Sequence, residues 1–195
     1  MKRIIIPLII LIFVTACGHQ ENRETYALLD QFVQETTKHD GYVYLVSQTQ
    51  PIQYFLHDHG SLSQAYQKVE NDQSSLTGKA FKNLVSKKAF SEICEKHHDN
   101  IYFNPLKSNQ FGIRLIDAPI KTKKASTVNQ YQLASNVTSK DYVITTSRPV
   151  FMQNYSIACI FYSCQTKESS TSSLATYQKI NGKWTRTFDF SLEEW

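Results

Sequence analysis

The sequence predicts an α+β fold in which N-terminal helices pack on a C-terminal antiparallel sheet, in a roll or cone-like arrangement. One change of period and one turn carry that prediction. Through the first half of the chain apolar residues recur every three or four positions, whereas from about residue 110 they alternate or run apolar on both faces. Near the end, Asn181 and Gly182 separate two β-rich segments, the two-residue spacing of a type I′ hairpin.

The first helix is expected over Glu24 to Lys38, where Thr25, Leu28, Leu29, Phe32, Val33 and Thr36 share one face and Gly41 ends the run. Tyr42 to Val46 reads as a short aromatic and β-branched strand, and Pro51 opens a second extended segment, Ile52 to His57. Ser61 and Gln64 have capping-box spacing ahead of Leu62, Ala65, Tyr66 and Val69. A further helix, or a broken pair, covers about Thr77 to His97 with Phe81, Leu84, Val85, Phe90, Ile93 and Cys94 inward.

The second half begins with alternation at Phe111, Ile113 and Leu115. Lys121 to Lys140, rich in Lys, Thr, Ser, Asn and Gln, reads as a long loop around a weak strand near Tyr131 to Ala134. From Asp141 three or four strands follow. Tyr155 to Ser163 is apolar on both sides and is expected at the centre of the sheet. The Asn181–Gly182 turn sets Lys179 opposite Trp184, Tyr177 opposite Arg186 and Ala175 opposite Phe188. Tyr177, Trp184, Phe188 and Phe190 then share one face, and Thr176, Gln178, Thr185, Thr187 and Asp189 a more polar one.

Residues 1–16 stand apart from this domain. Lys2 and Arg3 precede eleven positions from Ile4 to Val14 that are apolar apart from the break at Pro7, the layout of a secretory signal and too short to span a bilayer. Val14, Thr15, Ala16 and Cys17 follow. They resemble the bacterial lipobox, with threonine where alanine or serine is commoner. The resemblance implies cleavage before Cys17, diacylglyceryl transfer to its thiol and acylation, palmitate included, of the freed amine. The expected organisation is a signal peptide over 1–16, a lipidated polar tether over 17–23 and a single α+β domain over 24–195. The bland alternative is ordinary cleavage after Ala16. A cell-envelope location follows, held to the lipid bilayer through acylated Cys17. Gly18, not aspartate, favours outer-membrane delivery.

Composition narrows the function classes. With 1–16 removed, 19 basic and 17 acidic side chains remain, a balance that argues against nucleic acid as a partner. The cluster Lys121, Lys123 and Lys124 reads as a solvated loop. Three cysteines accompany Cys17; an oxidising compartment permits one disulfide, and Cys159 with Cys164 is the closest pair. Five residues apart, they fall on opposite faces of a continuous strand, so a bridge requires a turn or bulge between them.

Candidate metal ligands are His57 and His59, with His97 or His98 as a third, since His-x-His points two imidazoles to one side of a strand. The plainer reading puts the first pair in a strand-to-helix turn and the second at a helix C-terminus, where positive charge is favoured without any metal. Cys94 with His97 or His98 has helical spacing for a thiol and its base, yet Cys94 also continues the Phe90 and Ile93 stripe, as a buried, inert thiol does. No GxSxG, HExxH, P-loop or GxGxxG occurs, so no catalytic residue and no cofactor is assigned.

Residues Ser147 to Phe151 (SRPVF), the apolar strand after them and Tyr177 to Trp184 (YQKINGKW) are similar to the ending of a group of small uncharacterised bacterial lipoproteins. That resemblance covers about the last fifty residues and implies a sheet, with no activity attached. By elimination, the expected role is a membrane-anchored, non-catalytic binding module with an envelope protein as partner. The alternative is an envelope enzyme or metal-binding protein that uses the histidines.

Overall fold

A computed structural model of the chain describes residues 5–36, 43–56, 67, 81, 84–96, 114–116, 141–166 and 169–194. Helix α1 runs Ile5–Thr36. Strand β1 is Val43–Val46, a 3-10 turn covers Ile52–Leu56, and helix α2 is Lys87–Lys96. The remaining strands are β2 (Arg114–Ile116), β3 (Tyr142–Thr146), β4 (Val150–Met152), β5 (Ile157–Gln165), β6 (Ser170–Ile180) and β7 (Lys183–Glu194).

These strands form one sheet in the order β2-β1-β3-β5-β6-β7, with β4 also paired to β5. The sheet is mixed, which corrects the expectation of an antiparallel sheet built by the C-terminal half. Strand β1 comes from the N-terminal half and lies parallel to both β2 and β3. The reason is its composition: Val43, Tyr44, Leu45 and Val46 are all buried, and a strand apolar on both faces belongs inside a sheet. A layer of N-terminal helices on the sheet is likewise not seen among the described residues. The Leu62 to Val69 segment lies outside them, apart from Gln67. A single helix, α1, meets one face, and the short α2 meets the other.

Strands β3 and β4 act as one bent strand along β5. Thr146 pairs with Tyr162 and Val150 with Cys159, so three residues, Ser147, Arg148 and Pro149, face two on β5. Pro149 has no N–H to offer the ladder, and a bulge accommodates it. Ser147 repairs the gap: its N–H donates to the Phe161 carbonyl at 2.7 Å and its Oγ accepts from the Phe161 N–H at 3.0 Å. Strand β5 is interior, as its doubly apolar sequence predicts, with Tyr155 excluded into the preceding turn. Ile52 to Leu56 is a 3-10 turn rather than an extended segment, the Tyr54 N–H donating to the Pro51 carbonyl at 2.9 Å. Helix α2 starts after Ser86, whose hydroxyl accepts from the Ala89 N–H at 3.2 Å, an N-cap.

Two cores flank the sheet. On one face Leu28, Leu29, Phe32 and Val33 of α1 meet Ile144, Ile160 and Tyr177, over Ala158 and Ala175, whose small side chains admit the helix. On the other, Phe55, Phe81, Val85 and Phe90 meet Ile157, Cys159, Phe161 and Leu174.

The terminal hairpin turns at Asn181 (φ 51) and Gly182 (φ 79), the positive angles a type I′ turn requires. Lys179 faces Trp184 and Tyr177 faces Arg186, as expected, but Thr176 then faces Phe188 and Ala175 faces Asp189. The extra residue is Thr187, whose hydroxyl donates to the Thr176 carbonyl at 3.0 Å. This bulge reverses the expected faces beyond it. Phe188 and Phe190 turn to the Phe161 side, leaving Asp189 on the α1 side with Arg186.

Candidate functional site

Helix α1 is fastened to the sheet by acids on the same stripe as its apolar residues. Glu21, Glu24, Leu28, Phe32 and Glu35 follow one another at three- and four-residue steps. Glu21 pairs with Arg148. The Glu24 carboxylate, only 3% exposed as a residue, accepts from Lys179 Nζ at 2.7 Å and from the Trp184 Nε1–H at 3.2 Å. Glu35 Oε2 lies 2.8 Å from Arg186 Nε and accepts from the Tyr177 hydroxyl at 3.1 Å.

Around Arg186 the contacts form a network. Its Nε donates to the Tyr177 hydroxyl at 3.0 Å, its Nη1 donates to Asp189, and Asp189 accepts the Tyr162 hydroxyl at 2.8 and 2.9 Å. The guanidinium lies over the rings of Phe32 and Tyr177, 5.4 and 5.5 Å from their centroids. Its Nη2 is buried without a hydrogen-bond partner among the described residues.

The electrostatics are those of a clamp. Burial pushes the Tyr177 phenol up; Arg186 pulls it down and Glu35 pushes it up, and it ends well above the ordinary tyrosine range. Burial and the Asp189 charge do the same to Tyr162. Both phenols keep their protons and serve as donors. Arg186, although burial opposes its charge, is held cationic by Tyr177 and Asp189. None of these three groups is tuned towards neutrality, where an acid or base for proton transfer works best.

A second feature lies at the N-terminal side of the α1 interface. Glu21 and residues Phe151, Met152, Gln153, Asn154 and Tyr155 line a cleft of about 260 Å³. The β4–β5 turn that forms its wall holds three consecutive non-glycine residues in the left-handed region: Gln153 (φ 47), Asn154 (φ 54) and Tyr155 (φ 60). Each such residue costs about 1–2 kcal/mol, less for asparagine, and persists where the surroundings over-determine the backbone. Gln153 is exposed, so Gln153→Gly is expected to stabilise the fold by roughly 0.5–1 kcal/mol, the relieved strain exceeding the added chain entropy. Urea denaturation measures this; a loss of stability would show that the Gln153 side chain itself holds the turn.

His57, His59, His97 and His98 all lie outside the described residues, as do Lys121, Lys123 and Lys124. Among the described residues no group of three or more His, Cys, Asp and Glu could hold a metal ion. Cys94 falls within α2 and Cys17 within α1. Cys159 and Cys164 are free thiols on opposite faces of an unbroken β5, one in each core. Five residues of strand separate them by about 17 Å, well beyond the Cα spacing of about 6 Å that a disulfide spans, so they do not bridge within this fold.

Burial pushes the Cys159 thiol up to about 12, against a weak opposing hydrogen bond from Thr176, and the Cys164 thiol up to about 11. At pH 8 both are expected to alkylate at least about a hundredfold more slowly in the folded protein than after denaturation. Peptide mapping after timed iodoacetamide labelling checks this, and rapid labelling of Cys159 would mean that the β5 core opens.

Arg186, Asp189, Glu35 and Tyr162 were not singled out by the sequence. A signal existed for Glu24 and Glu35, acids on an otherwise buried stripe; none existed for Asp189, whose place depends on the Thr187 bulge. The fold and its interface define a class: a domain built mostly of one mixed β-sheet, with its first helix ion-paired to the sheet. Comparison with protein-family models, curated proteins and solved structures finds no match to this chain.

Proposed function

We propose that this chain is a lipid-anchored protein of the bacterial cell envelope whose folded domain is a non-catalytic binding module. The observation that carries the reading is the clamp. The helix containing Cys17 continues into residues that are ion-paired to the sheet from Glu21 onward, so an acyl anchor at Cys17 and the domain would move as one body. Tyr162, Tyr177 and Arg186 at this interface keep their protons and hold geometry. No helix among the described residues is long and apolar enough to cross a membrane, and attachment rests on the acylated cysteine. The partner is an envelope protein, and nucleic acid is not one.

Cross-linked affinity purification of the full lipoprotein from its native envelope, beside a tagged Cys17→Ala control, tests this. A stoichiometric partner lost with Cys17→Ala supports the reading. Recovery of an unmodified Cys17, or the absence of any enriched protein, counts against it.

A further inference from the structure

We infer that the end of the sheet nearest Cys17 is a second membrane contact, in which the tip of the β6–β7 hairpin and the β4–β5 turn rest on the phospholipid surface that holds the anchor.

The geometry comes from the helix direction. Phe32 of α1 packs edge-to-face on Tyr162, Glu24 reaches Lys179 and Trp184, and Glu21, paired with Arg148, lines the cleft walled by the 153–155 turn. Passing towards the helix N-terminus, the contacts therefore step from Tyr162 back past the start of β5 at Ile157. The hairpin tip lies at the same end, because the Lys179 N–H donates to the Ser156 carbonyl at 2.8 Å. Cys17 is one helical turn beyond Glu21, about 6 Å further along the axis. An acyl chain on Cys17 thus brings the 153–156 turn and the 179–184 tip to headgroup depth.

The side chains at this end suit a bilayer. Ile180, 47% exposed, is the large apolar residue left in solvent among the described residues. The exposed Lys183 lies directly opposite Ile180 on the neighbouring strand, placed for a lipid phosphate, while Lys179 is held by Glu24. Tyr155, half-buried against Phe151 with ring centroids 5.3 Å apart, supplies an aromatic residue of the kind found at membrane interfaces. An exposed isoleucine at a hairpin tip has no role in the core, and at an acyl-anchored end it gains burial. The contact also fixes which surface of the domain faces away from the membrane.

This inference rests on the lipid anchor proposed above, and the experiment separates the two. The full lipidated protein is reconstituted in vesicles of phosphatidylethanolamine and phosphatidylglycerol, its Cys17 modification is read by mass spectrometry, and backbone hydrogen exchange is compared with soluble Cys17→Ala. Amides of 153–156 and 179–184 are expected to exchange about tenfold more slowly on vesicles, with β7 beyond Thr187 unchanged. The exposed substitution Ile180→Asp should abolish that protection at the tip without altering the melting temperature or Cys17 acylation. Acylated Cys17 with an unprotected tip overturns the second contact and leaves the anchor standing. Unmodified Cys17 overturns both.

Discussion

Glu24→Gln is expected to lower stability by about 2–3 kcal/mol at pH 7, because it removes the charge that holds Lys179 and the best acceptor for the Trp184 indole. The figure lies below that for a fully buried pair, since the Lys179 side chain is 25% exposed and can recover some hydration. Burial by itself raises the Glu24 carboxyl, but the hydrogen bond and charge of Lys179, with Arg23 and Trp184, outweigh it and hold the group below its ordinary 4.5. The unfolded chain therefore takes up this proton more readily than the folded one. The contribution of Glu24 is complete above the unfolded value and is lost as pH falls through the folded one. Urea denaturation should show a wide gap between wild type and Glu24→Gln at pH 7 that narrows below about pH 4. A gap that stays constant would mean that glutamine is disturbing packing rather than an ion pair.

Phe161→Ala carries the largest expected loss, about 4 kcal/mol. Phe161 is fully buried on the central strand β5, with the Phe55 and Phe90 rings at 6.4 and 6.0 Å. Those rings come from the 3-10 turn and from α2, two separate stretches of chain, so truncating Phe161 removes the contact that both make with the central strand. Phe188, partly buried against the same cluster, should lose roughly half as much on truncation. The midpoint of urea unfolding, at unchanged slope, is the measurement. Equal losses at the two positions would show that the Phe161 side of the sheet is loosely packed.

Much of the local structure was legible. The stripe from Thr25 to Thr36 lies in α1, the doubly apolar run became the interior strand β5, and Asn181–Gly182 makes the expected turn. The candidate site was less so. Glu21, Glu24 and Glu35 sit among apolar residues at helical spacing, which reads from sequence as interruptions of a core face. Their cations, Arg148, Lys179 and Arg186, lie more than a hundred residues away and show no pattern that would pair them.

By itself the sequence determined the elements whose causes are local: side-chain period for α1 and β5, and tolerance of positive φ at the hairpin turn. Only the tertiary structure decided that β1 enters the sheet parallel to β3, and that Thr187 forms a bulge which carries Asp189 round to Arg186. The first is a choice of partner between distant segments, the second a one-residue choice of register within the hairpin. A one-residue slip exchanges every side chain between the two faces, so the outcome depends on what α1 and the Phe161 core can bury together.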